Sequence, residues 1–166
     1  MTVRPGRAVS LLLALPLLAF ALAGPALAAS AELVLDGGVK TPLHITTESL
    51  RAMPPTELDV AFDTEHGPTK AHFTGVPLWT LIDKAGGLSD PDKRAFLHHT
   101  LTVTGSDGFF VVLSTGELHP EFGNKGVIVA YLRDGKADEK EGLRLVVPGD
   151  KRGGRSVRDV VHIEVK

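Results

Sequence analysis

The sequence predicts an α+β fold, with mixed, mostly antiparallel β-sheets and a few short helices. Three observations lead there. Eight or nine short apolar or alternating runs are bounded by Gly, Pro and Asp-Gly turn signals. Two to four short helical stretches fall among them without regular alternation, which argues against a doubly wound parallel sheet. The part of the 166-residue chain expected to fold is one domain in length, long enough to bury a core of its own.

In chain order, Glu32-Leu33-Val34-Leu35-Asp36 alternates and then reaches Gly37-Gly38, the pattern of an edge strand and a turn. Leu43-His44-Ile45 is a second extended piece. Thr46 or Thr47 caps a helix through Met53, with Glu48 in its first turn and Pro54-Pro55 as its stop. Residues 57–63 alternate as a half-buried strand; His66-Gly67-Pro68 turns the chain, and Lys70 to Phe73 returns. Pro77 suits the start of a helix. Leu78, Leu81, Ile82 and Ala85 at i, i+3, i+4 and i+7 form its apolar face, and Gly86-Gly87 ends it. Ser89-Asp90-Pro91-Asp92 starts a further short helix toward Leu97. Leu101 and Val103, a Gly105-to-Gly108 turn and Phe109 to Leu113 make a hairpin, with one of the rings of Phe109 and Phe110 in the core. Ser114 caps a helical turn. Val127 to Leu132 is an apolar central strand, Asp134-Gly135 a turn, and Leu143–Val147 and Val160–Val165 the closing strands. Trp79 and Tyr131 are expected as core or rim aromatics.

The first residues read as a leader. Arg4 and Arg7 precede an apolar run from Ala8 to Ala23, followed by Gly24-Pro25 and Ala26-Leu27-Ala28. A basic start, an apolar centre and an A-x-A site describe a secretory signal peptide over 1–28, cut after Ala28, and 29–166 as one exported domain. An uncleaved anchor is the alternative, although the run is short for a membrane span and Pro16 interrupts it. Without Arg4 and Arg7 the chain carries 16 basic against 20 acidic residues, a net of −4, which disfavours nucleic acid as a partner. No later run is long and apolar enough to span a membrane. There is no cysteine, so thiolate metal ligands, redox dithiols and cysteine nucleophiles are excluded.

Little else points to catalysis. Seven histidines invite a metal reading, but neither His98-His99 nor His66 and His72 has a metal-ligand spacing, and no metal site is expected. No G-x-S-x-G occurs; Glu117 and His119 look like polar loop residues. The closing segment "GDKRGGRSVRD" is different. Lys151, Arg152, Arg155 and Arg158 surround Gly153-Gly154. Such a loop can turn backbone N–H groups and guanidiniums onto one oxyanion, or it can be a solvated basic hairpin that protects an edge strand. The residues alone support both readings equally.

The order of motifs adds a resemblance. "FTGVPLWTLIDKAGG", "LTVTGSDGFFVVLSTGEL", "VIVAYLRDGK" and "GLRLVVPGDKRGGRSVRDVVHIEV", in that order, resemble the molybdopterin-binding domain of the sulfite oxidase family over about Leu33 to the C-terminus. The resemblance implies the sulfite-oxidase-type fold, a molybdenum held by a pyranopterin dithiolene and one protein cysteine, and a closing loop along the pterin phosphate. Arg155, Ser156, Val157 and Arg158 fall on that loop, the arginines as cationic donors and Ser156 as a hydroxyl or backbone donor. The pattern departs at the cysteine: the corresponding segment, "LDVAFDTEHGPTKAHFTG", contains none, no Asn-Arg-Arg run follows, and Phe62 to Glu65 occupies its place. Asp63 or Glu65 offers a hard oxygen there, not a soft thiolate. The intervening segment is also short. The expectation is therefore a periplasmic or secreted binding or accessory module without catalysis, whose pocket is roofed by 150–158 and takes an anionic small molecule or a periplasmic protein partner. The alternative is a molybdopterin-dependent oxidoreductase in which water, an oxo group or another protein ligand replaces the thiolate. A His-based metal-binding periplasmic protein is the second alternative. Molybdopterin enters through the resemblance alone; the residues by themselves call for no cofactor.

Overall fold

A computed structural model describes residues 1–2, 32–64, 67–137 and 142–166. The leader expected over 1–28 and its cut after Ala28 lie outside these residues, apart from Met1 and Thr2. His66 and Glu65 lie outside them too.

Among the described residues, nine strands form two sheets. The five-stranded sheet has the order β2(Leu43–Ile45)-β1(Leu33–Gly37)-β9(Val160–Val165)-β5(Thr100–Gly105)-β6(Phe110–Ser114). The four-stranded sheet has the order β3(Thr56–Thr64)-β4(Gly67–Pro77)-β7(Ile128–Arg133)-β8(Arg144–Val146). Every pairing is antiparallel except β1 with β9, so the class is α+β with one mixed sheet.

Among the described residues there are three short α-helices: α1(Thr47–Arg51), α2(Leu78–Lys84) and α3(Thr115–Leu118). The Thr46 side chain caps α1 by accepting from the Ser49 N–H at 3.2 Å. Ser114 caps α3 in the same way. Pro77 sits one residue earlier than the first helical turn, as the last residue of β4 and the N-cap of α2. The predicted apolar face of α2 is wholly buried: Leu78, Leu81, Ile82 and Ala85. These residues join Leu33, Leu101, Ile163, Val129 and Leu145 in one core that both sheets share. Each such leucine, isoleucine or valine side chain stabilises the fold by about 1.5–3 kcal/mol through removal from water.

Strand β7 is buried on both faces. Val129 and Tyr131 enter the main core, while Ile128 and Ala130 enter a second cluster with Val60, Ala71, Phe73 and Val146. That is why its sequence is a continuous apolar run. The Asp134-Gly135 turn has both φ angles positive, +50° and +74°, the geometry that favours this dipeptide.

Three expectations change. β1 is not an edge strand: β2 pairs on one side of it and β9, from the far end of the chain, on the other, a pairing that side-chain alternation does not report. The helix expected from Ser89 is only a single 3-10 turn, Ala95–Leu97. Asp90 and Asp92 side chains accept from the backbone N–H two residues on, and so hold the chain in turns instead. Neither Phe109 nor Phe110 is in the core; they are 49% and 59% exposed. Phe109 lies in the turn before β6, and Phe110 faces away from the core on the last strand of its sheet. No helix among the described residues is long and apolar enough to cross a membrane.

Candidate functional site

The closing segment crosses the molecule from β8 to β3. After Pro148-Gly149 it runs beside β3, where the Asp63 N–H donates to the Lys151 carbonyl at 2.9 Å. Gly153–Arg155 then forms one 3-10 turn, closed by Ser156 N–H to the Gly153 carbonyl at 3.0 Å. A side chain at Gly153 would run into the Phe62 ring, 2.8 Å from its nearest carbon, so glycine lets the loop lie flat on the aromatic.

Beneath this loop is a cavity of about 520 Å³. Phe62, Asp63, Arg144, Arg152, Gly153, Gly154, Ser156 and Arg158 line it. Three arginines and one carboxylate residue are in this lining, so the cavity is cationic inside an acidic protein. Arg144, only 7% exposed, projects from β8. Its Nη1 donates to Ser156 Oγ at 3.4 Å, and its guanidinium lies over the Phe73 ring, 5.9 Å from the centroid.

The four loop residues expected from the sequence divide by alternation. Ser156 and Arg158 face the cavity. Val157 is fully buried in the core, and its carbonyl accepts from the Leu145 N–H at 2.9 Å. Arg155 points away and braces the loop. Its Nε and Nη2 donate to the two Asp150 oxygens, each at 2.7 Å, and its Nη1 donates to Glu117 on α3 at 3.2 Å. Lys125 also reaches Asp150, at 3.2 Å. This bidentate pair holds loop, α3 and the segment before β7 together. Of the other basic residues, Arg152 lines the cavity and Lys151 is exposed.

Arg155's donated bonds hold the Asp150 carboxyl below the usual carboxylate range, against the opposing effect of its burial, with Lys125 adding to the depression. A depressed carboxyl stabilises the fold above its unfolded pKa of about 3.9, and that contribution is lost as pH falls through the lower folded value. Asp150→Asn is therefore expected to lower stability by about 1–2 kcal/mol near neutrality. The gap in thermal midpoint between variant and parent should persist at mildly acidic pH and close in strong acid. A gap that stays constant down to strong acid would contradict the brace.

Sequence reasoning missed Arg144. Its signal was present: one arginine inside the apolar strand Leu143-Arg144-Leu145-Val146-Val147. A charge in a buried strand needs a reason, and here it is the cavity. Phe62 and Asp63, placed by the resemblance where a cysteine would fall, do line the same cavity. Among the described residues, no group of three or more His, Asp or Glu side chains is arranged to hold a metal ion.

No protein-family model matches the chain, and no curated protein does. Among solved structures, the sulfane dehydrogenase SoxCD from Paracoccus pantotrophus is similar, with a TM-score of 0.66 and 23% identity. The match covers 81% of this chain and 37% of that one, so this chain spans little more than a third of its length. At that identity the likeness establishes a shared fold and no more.

Proposed function

We propose that this protein is an exported binding or accessory module without redox catalysis, built on a sulfite-oxidase-type molybdopterin-binding scaffold. Its cavity takes an anionic small molecule carrying an oxyanion such as a phosphate. The observation that carries this reading is the convergence of Arg144, Arg152 and Arg158 with Ser156 on one cavity, under a loop braced from outside by Arg155 and Asp150. Planar guanidiniums grip tetrahedral oxyanions in bidentate fashion, and the Ser156 hydroxyl adds a neutral donor. The fold shared with a sulfane dehydrogenase supports the choice of scaffold.

The cavity residues fit an anion, and they do not fit a molybdenum centre of the expected kind. The chain contains no cysteine, and Asp63 is the one carboxylate in the lining, a hard oxygen where a soft thiolate is required. One observation favours the second reading, a molybdopterin-dependent oxidoreductase with non-cysteine ligation: Asp63 faces the same cavity as Ser156 and Arg158.

Two measurements separate these. Calorimetric titration with pyrophosphate should show saturable one-to-one binding that weakens with salt and is lost in Arg158→Ala. No saturable binding would sink the anion reading. Elemental analysis of protein made from the full sequence in a cofactor-competent host should find no stoichiometric molybdenum; a full equivalent would establish the second reading instead.

A further inference from the structure

We propose that β6 is an association edge at which two copies of this chain pair strand to strand about a two-fold axis. β6 ends the five-stranded sheet, and among the described strands only β5 pairs with it. The hydrogen bonds from Gly105 N–H to the Phe109 carbonyl, 2.9 Å, and from Thr115 N–H to the His99 carbonyl, 3.0 Å, mark the bonded positions of this ladder. Antiparallel ladders alternate. Val111 and Leu113 therefore direct their backbone groups toward β5, and Phe110, Val112 and Ser114 direct theirs to the open side.

The same residues carry the exposed side chains: Phe110 is 59% and Val112 is 51% exposed. Edge strands are ordinarily protected by charge, proline or a covering segment. From Gly108 to Gly116 the chain has neither a charged residue nor a proline. Apolar surface continues past the strand, because Leu97, 43% exposed, packs beside Gly116. Together with Phe109 these side chains hold on the order of 400 Å² of exposed apolar surface, taking roughly 200 Å² for a whole phenylalanine. That is about half of the roughly 800 Å² each partner buries in a standard interface, the remainder coming from the paired backbone and its flanks.

A second copy is the occupant that matches this edge. An antiparallel two-fold centred on Val112 sets Val112 against its own copy and Phe110 against Ser114. Every residue with outward backbone groups then meets another of the same kind, with no charge buried. The small net charge, −2 for the whole sequence and −4 without Arg4 and Arg7, opposes this little.

The test is light scattering and sedimentation of the purified protein from low micromolar to several hundred micromolar, with amide exchange read at β6. The expected result is a mass that rises from monomer to dimer, with the Phe110, Val112 and Ser114 amides slowing as it does. Val112→Lys should raise the dimer dissociation constant at least tenfold. Its circular dichroism and thermal midpoint should match the parent, since the side chain is exposed. A monomer throughout the range overturns the proposal, including one that captures some other strand. So does a dimer that Val112→Lys leaves intact, or edge amides whose exchange ignores concentration.

Discussion

Arg144→Met should weaken pyrophosphate binding by about ten- to a hundredfold and leave the protein folded. Arg144 is one of the three arginines that line the cavity, and a hydrogen bond to a charged group contributes about 1.5–3 kcal/mol. Methionine keeps an unbranched apolar side chain of similar length on β8 and removes the charge, its donors and the contact of the guanidinium with the Phe73 ring. Replacing a buried charge by an apolar side chain of similar volume is often neutral or stabilising, so binding and folding should separate at this position. Calorimetric titration with circular dichroism on the same samples measures both. Unchanged affinity in a folded Arg144→Met protein would remove this residue from the site. Loss of folding alongside affinity would instead assign it to structure.

Gly75→Ala should cost more than about 3 kcal/mol, enough to unfold a protein of ordinary stability at moderate temperature. Gly75 stands at the register shift between β4 and β7, where β7 carries one extra residue, Tyr131, between the partners of Thr74 and Gly75. A methyl group there would overlap the Val129 carbonyl oxygen and lie 2.6 Å from the Ala130 Cα. Both obstacles are backbone atoms of the doubly buried strand β7, so no side chain can rotate to relieve them. Chemical denaturation reads the effect. A midpoint close to that of the parent would show that the two sheet strands can part at little cost. As a contrast, Gly154→Ala meets open space and should be nearly silent for stability.

The local elements were legible where one residue pattern admits one structure. The apolar face of α2, the Asp134-Gly135 turn and the bounds of β9 all follow from periodicity or backbone preference acting over a few residues. Legibility failed where a partner distant in sequence decides the outcome. β1 reads as an edge until β9, more than a hundred residues later, pairs beside it. Phe109-Phe110 reads as half buried until the sheet ends at β6 and leaves both rings in water. The 90–94 segment reads as a helix start, yet its aspartates close turns on their own backbone.

The site divides the same way. Composition excluded every thiolate chemistry, because a residue type that is absent cannot be supplied by folding. The glycine-rich basic loop was visible as a candidate anion cradle, since glycine and arginine act through intrinsic backbone freedom and charge. Which arginine does which task was not visible. Strand-like alternation sends Ser156 and Arg158 into the cavity and Val157 into the core, while Asp150 and Glu117 claim Arg155 from outside. Arg144, on a strand that precedes the loop, completes the cavity only because β8 lies beneath it. Residue type and short-range pattern determined what chemistry was available to this protein. Long-range pairing alone decided which charges converge, because a guanidinium is held by whichever carboxylate or cavity the tertiary structure brings within reach.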